Sequence, residues 1–133
     1  MTFDPGHGTQ VAYFSPDGTE YLWYPGNRVI VKASYELRRG KSTRMMVRTA
    51  DGLQPREAAI HDICFKYGSN TYNPVTKRGG GKWECRAVLS FNQFVRERMP
   101  SDVFGLSRRT AVPFELSRAK TSLQSLKARC TDC

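Results

Sequence analysis

Between Val29 and Arg38 the chain alternates in character for ten positions. Val29, Val31, Ala33, Tyr35 and Leu37 fall on one side, and Ile30, Lys32, Ser34, Glu36 and Arg38 on the other. Period two is the pleat of a β-strand, whose successive side chains point to opposite faces; a helix cannot gather such a pattern on one stripe. The run predicts a half-buried strand, and with it a sheet that needs cover on one face. Upstream, Gln10–Ser15 and Glu20–Tyr24 are rich in β-formers. They stop at Pro16-Asp17-Gly18 and Pro25-Gly26-Asn27, where proline and glycine supply turn dihedrals. Downstream, Arg39-Gly40-Lys41 is expected to turn the chain into a strand over Thr43–Thr49, with Asp51–Ala59 as a polar connection. Strands over Ile60–Tyr67 and Lys82–Phe91 then bracket Gly68–Gly81, a loop that is long for a hairpin and holds Pro74 and three consecutive glycines.

Past Phe91 the pattern changes. Asn92–Met99 suits two helical turns before Pro100, and Pro113 suits the first position of a helix. Leu116, Ala119, Leu123, Leu126 and Cys130 then follow a 3-4-3-4 spacing, which predicts an amphipathic helix over Phe114–Arg129 lying on its own sheet or a sister chain's. The expected fold is one α+β domain over 1–133, mainly β. An N-terminal hairpin and antiparallel sheet occupy 1–91, and a helical region occupies 92–133. A chain of 133 residues can bury roughly two-thirds of its unfolded surface, so no metal or staple is required for a core. No apolar run approaches the ~18 residues of a membrane span, and MTFDPGHGTQ has neither the basic nor the apolar region of a signal peptide.

Lysine and arginine number 21 against 12 acidic residues, a net charge of +9 that favours polyanionic partners. The surplus is spread along the chain, with no block of five like charges, so a merely solubilising surface is the competing reading. Enzyme chemistry has little material. There are two histidines, His7 and His61, and Glu20, Glu36, Asp62 and Glu84 alternate with apolar strand residues, where carboxylates usually face water. Gly40-Lys41-Ser42 imitates the end of a phosphate loop, but Tyr35 stands where that loop needs glycine and a strand follows where it needs a helix. No catalytic residue, cofactor or metal is expected.

The cysteines are Cys64, Cys85, Cys130 and Cys133. A symmetric hairpin across the long loop sets Cys64 opposite Cys85, within disulfide reach. A one-residue slip pairs Phe65 with Cys85 and Tyr67 with Trp83, which gives a cleaner apolar face and separates the sulfurs. Packing favours the slip, and so unbridged cysteines. It also gathers Lys66, Glu84 and Arg86 on a polar face that Lys32, Arg44 and Arg48 can share, a set whose cations are able to hold a phosphate backbone by charge. Cys130-x-x-Cys133 closes a helix, where the dipole opposes thiolate formation, so a frayed tail with two thiols is the plain reading.

The order of elements has a familiar plan. A hairpin around Ser15-Pro16-Asp17-Gly18-Thr19 comes first, followed by strands at 29–38, 43–49 and 60–67, a long loop at 68–81, a strand at 82–91 and a helical end. This plan resembles the coat proteins of single-stranded RNA bacteriophages over nearly the whole chain, in order and spacing rather than in any motif. The resemblance implies a homodimer joined through the sheet, C-terminal helices lying across the partner, and an icosahedral shell around genomic RNA. It also implies a virion protein made in the host cytoplasm, with no membrane partner. RNA would meet the inward sheet face at Lys32, Arg44, Arg48, Lys66 and Arg86. Neighbouring subunits would meet the long loop at Tyr72, Pro74, Lys77 and Arg78. The family has one strand more than this reading counts, unless Asp51–Ala59 supplies it. A monomeric nucleic-acid-binding β module, using Lys77, Arg78 and aromatic residues, is the alternative.

Overall fold

The computed structural model describes residues 1–133 apart from Pro74 and Thr76, and apart from the side chains of Lys41, Ser42, Thr43, Met45, Val47, Arg48, Ala58 and Ala59. Its strands are β1 (Thr2–Asp4), β2 (Gly8–Phe14), β3 (Thr19–Trp23), β4 (Val31–Thr49), β5 (Gly52–Tyr67), β6 (Tyr72–Asn73), β7 (Arg78–Gly79) and β8 (Glu84–Ala87). Helical structure among the described residues is confined to α1 (Val88–Asn92), a 3-10 turn at Leu106–Arg108 and α2 (Leu123–Arg129). Six strands form one curled antiparallel sheet in the order β1-β2-β3-β4-β5-β8, while β6 and β7 pair inside the long loop. The fold is α+β and mainly β, as the alternation requires.

β4 runs straight through Arg39-Gly40-Lys41, where a turn is expected. Gly40 has no left-handed backbone; a Cβ there would lie 2.5 Å from the Ile60 carbonyl oxygen. It therefore permits a close approach rather than a reversal, and the register shifts between Arg39 and Ser42 as in a β-bulge. The reversal falls between Thr49 and Gly52, with Gly52 at φ 99°. Asp51–Ala59 is thus no loose connection, because Gly52 onward is the first half of β5. Pro55 stands where β5 has an open edge, the setting in which a strand tolerates a missing N–H. Val29 and Ile30 lie before the strand, pairing instead with the segment around Thr110–Val112.

The C-terminal third is less helical than its pattern predicts. β8 stops at Ala87 and α1 follows, which shortens the strand expected over Lys82–Phe91. Asn92–Met99 forms no helix beyond Asn92, because its backbone is committed to the N-terminal strand: Phe3 N–H donates to Phe94 O and Arg96 N–H to Met1 O. Of the helix expected over Phe114–Arg129, only Leu123–Arg129 forms. Carbonyls just before it serve the sheet, since the Trp23 indole N–H donates to Phe114 O at 3.0 Å and the Thr9 hydroxyl to Ala119 O at 2.8 Å. Ser122 then caps α2, its hydroxyl accepting the Ser125 N–H.

These contacts lay the tail over one sheet face. Val11, Trp23 and Ile30 pack there with Phe104, Leu106, Leu116, Leu123 and Leu126 as the main core. The apolar stripe read from the sequence is therefore covered by the chain's own β2 and β3.

The β5–β8 register pairs Cys64 with Cys85 and Phe65 with Glu84, and the two cysteines form a disulfide. The slipped register is overturned. It presumed that β8 must supply the apolar face beside Ile63, Phe65 and Tyr67. That face is filled instead from Phe14, Tyr35 and Phe91. β8 is an edge strand whose Glu84 and Arg86 are exposed. Cys130 and Cys133 are also bridged, and Cys130 packs against the core. The tail is pinned rather than frayed.

Candidate nucleic-acid interface

The register places the expected cations in three locations rather than on one face. Lys32 pairs with Tyr21 and Lys66 with Ser34, so both stand on the tail-covered side of the sheet, beyond the tail and exposed. The Lys32 ammonium lies 5.4 Å from the centroid of the Tyr21 ring. Arg86 pairs with Ile63 on the opposite face. Arg44 pairs with Glu57 and Arg48 with Leu53, both far out on the β4–β5 hairpin; the Arg48 side chain lies outside the described residues. The set is split because Lys66 and Arg86 shared a face only in the slipped register.

Beyond the bulge, β4 and β5 pair with no other strand among the described residues and form a two-stranded arm. Ten residue steps from Arg39 to Thr49 make it about 33 Å long. Residues 39–61 carry five basic and two acidic groups, 5 − 2 = +3, a third of the chain's net +9 in under a fifth of its length. Arg39, Arg44 and Arg56 are exposed and make no ion pair among the described residues. The arm and its base also carry exposed apolar residues: Leu37 at 65%, Met46 at 60% and Leu53 at 58% of full exposure. This concentration of positive charge favours a polyanion, and Met46 and Leu53 between the cations are exposed.

The long loop folds into the β6–β7 hairpin, with Tyr72 and Lys77 exposed and Lys77 at φ 56°. Arg78 is partly neutralised by Glu84, 3.4 Å away. Pro74 lies outside the described residues. Trp83 is only partly exposed and sits under Arg38, whose guanidinium is 5.1 Å from the ring centroid; Arg38 also pairs with Glu36. Neither of these basic residues is as free as those of the arm.

A groove of about 640 Å³ borders the sheet face away from the tail and extends to tail-side residues, Phe104, Leu106 and Leu123 among its lining. Phe14, Phe65 and Phe91 line it, their ring centroids 5.9–6.2 Å apart. Glu20 also lines it and is only 4% exposed, contrary to the expectation that it faces water. Phe14, Glu20, Ala33 and Tyr67 stand in one row across four strands. The small Ala33 lets the Tyr67 hydroxyl reach over β4 and donate to Glu20 Oε2 at 2.8 Å. Burial raises the Glu20 pKa to about 7, against smaller opposing effects of the Tyr67 hydrogen bond and the Arg86 charge. Burial and the neighbouring Glu20 raise Tyr67 as well. Sequence reasoning missed this row. The available signal was that Glu20-Tyr21-Leu22-Trp23-Tyr24 has no second polar residue, so the strand has no water-facing side to offer a carboxylate.

No protein-family model, curated protein or solved structure matches the chain.

Proposed function

We propose that this chain is a structural coat subunit that self-associates into an RNA-containing shell, with the β4–β5 arm as a principal contact to the phosphate backbone. The arm is the observation that carries the reading. An isolated two-stranded ribbon is marginal in water, and this one leaves Met46 and Leu53 uncovered, so it calls for a neighbouring protein surface. Its cations call for a polyanion at the same time. A subunit of an RNA-packing assembly meets both demands, while a monomeric nucleic-acid module answers only the second. The order of elements read from the sequence, which resembles that of single-stranded RNA phage coat proteins, supports the same reading. The continuous β4 and the tail folded on its own sheet depart from what that resemblance implies. With the tail folded on its own sheet, the sheet edge and the arm are the surfaces left for dimer and shell contacts.

Electron microscopy and light scattering of the expressed protein test the proposal, together with nucleic-acid content after external nuclease treatment. Closed particles with protected RNA are expected. A monomer at every concentration that still binds RNA would replace the shell with the monomeric module. A monomer that binds no RNA would remove both.

A further inference from the structure

We infer that the groove is a nucleobase pocket selective for guanine, with Glu20 reading the base edge and Phe14 and Phe91 holding its ring. The inference rests on the RNA reading for the biological source of the ligand, though not for the chemistry of the pocket.

The groove, about 640 Å³ in all and shared with tail-side residues, has Glu20, Phe14, Phe65, Phe91 and Arg86 together in its lining. Its phenylalanine rings pack on one another, with Phe65 buried and Phe14 and Phe91 half-buried, so the surface available to a base is the open part of Phe14 and Phe91. What makes the site selective is the carboxyl group. Glu20 Oε2 already accepts the Tyr67 hydroxyl, and Oε1 has no donor among the described residues although the residue is almost wholly buried. Oε1 is not among the fully buried unpaired atoms, so it reaches the groove, and an open acceptor there is complementary to a ligand that brings N–H groups.

Among the four bases, guanine alone sets two donors side by side on its Watson–Crick edge, N1–H and the N2 amino group. Adenine and cytosine each put a ring acceptor beside their amino group, and uracil flanks its single N–H with two carbonyls. An ionised carboxylate repels those lone pairs and accepts both guanine protons. Arg86 completes the match. It lines the groove and makes no ion pair among the described residues. Its charge also acts on both Glu20 and Tyr67. It is therefore available as the donor for guanine O6, the acceptor next to N1. Acceptor and donor in the wall thus face donors and acceptor in the base.

The test is a titration of the nuclease-treated protein at pH 8 with 5′-GMP, AMP, CMP, UMP and inorganic phosphate. It is read by calorimetry and by chemical-shift mapping. GMP should bind at least tenfold more tightly than the other three, phosphate should not compete, and shifts should centre on Phe14, Phe65, Tyr67 and Phe91. Glu20→Gln keeps an acceptor for Tyr67 and should lower GMP affinity at least tenfold. Arg86→Ala should do so independently, which covers the case of a Glu20 variant that misfolds. A short oligouridine with one central guanine identifies the source: tighter binding than GMP assigns the pocket to unpaired RNA, and weaker binding assigns it to the free nucleotide. Equal affinity for all four nucleotides, or shifts confined to the arm, would overturn the pocket. Neither result depends on particle formation, so the shell and the pocket can fail separately.

Discussion

Glu20 is a single side chain that ties stability to pH. Burial raises its pKa from 4.5 to about 7, so between those values the folded chain holds a proton that the unfolded chain has released. Stability must fall as pH rises through that window and level off above it. The shift corresponds to at most about 3 kcal/mol. Glu20→Gln should therefore flatten the profile and stabilise the protein at pH 8 by up to that amount, while changing little at pH 4.5. Urea unfolding at the two pH values checks this, and an unaltered slope would show that another group sets it. The residue was legible only in part. Its neighbours Tyr21, Leu22, Trp23 and Tyr24 mark a strand without a wet face, but the partner Tyr67 is 47 positions away and no local pattern points to it. The Cys64–Cys85 bridge was hidden for a related reason. Its register is set by Phe14 and Phe91, which fill the opposite face from outside the hairpin.

At the scale of elements, the arm is the unit whose removal should be tolerated by the fold and felt by function. Its described residues contribute nothing to the main core. Arg44→Ala with Arg48→Ala should leave unfolding free energy nearly unchanged and lower the slope of log affinity against log salt on single-stranded RNA by about 1.4, or ~0.7 per phosphate contact. Changing Lys77 and Arg78 should lower it less, since Arg78 already faces Glu84. Filter binding across a salt series ranks the two pairs, and the reverse ranking would move the contact to the loop. Strands β2 and β3 could be read closely from propensity and their proline-glycine turns. The length of β4 could not, because Gly40 looks like turn chemistry when its reason is the nearby Ile60 carbonyl. Asp51-Gly52, a strong hairpin signal, marks the true reversal. The helix over Phe114–Arg129 was over-read because spacing reports which residues are buried, and Leu116 is buried without being helical.

For the molecule as a whole, the tail and the first hairpin make one core. Leu126 is 1% exposed within it, so Leu126→Ala should cost about 2–5 kcal/mol by loss of contacts and an unfilled cavity. If the folded chain stands alone, the melt will not depend on concentration. If stability is shared with a sister copy, the melting temperature of the wild type and the variant will climb together as protein is added. Calorimetry over a hundredfold dilution separates the two. The same closure has a consequence in time. Strand pairing within β2–β4 is local and can begin as soon as those strands leave the ribosome, but the acceptor for the Trp23 indole, Phe114 O, comes 91 residues after it in the chain. At ~5–20 residues per second, the hairpin waits roughly 5–18 s with Val11 and Trp23 uncovered. Nascent chains stalled before Phe114 should stay open to protease, and those carrying the sequence through Arg129 should resist it. Synthesis itself then works as a clock: the surface on which the proposed self-association would draw is finished only after the last hundred or so residues have been made.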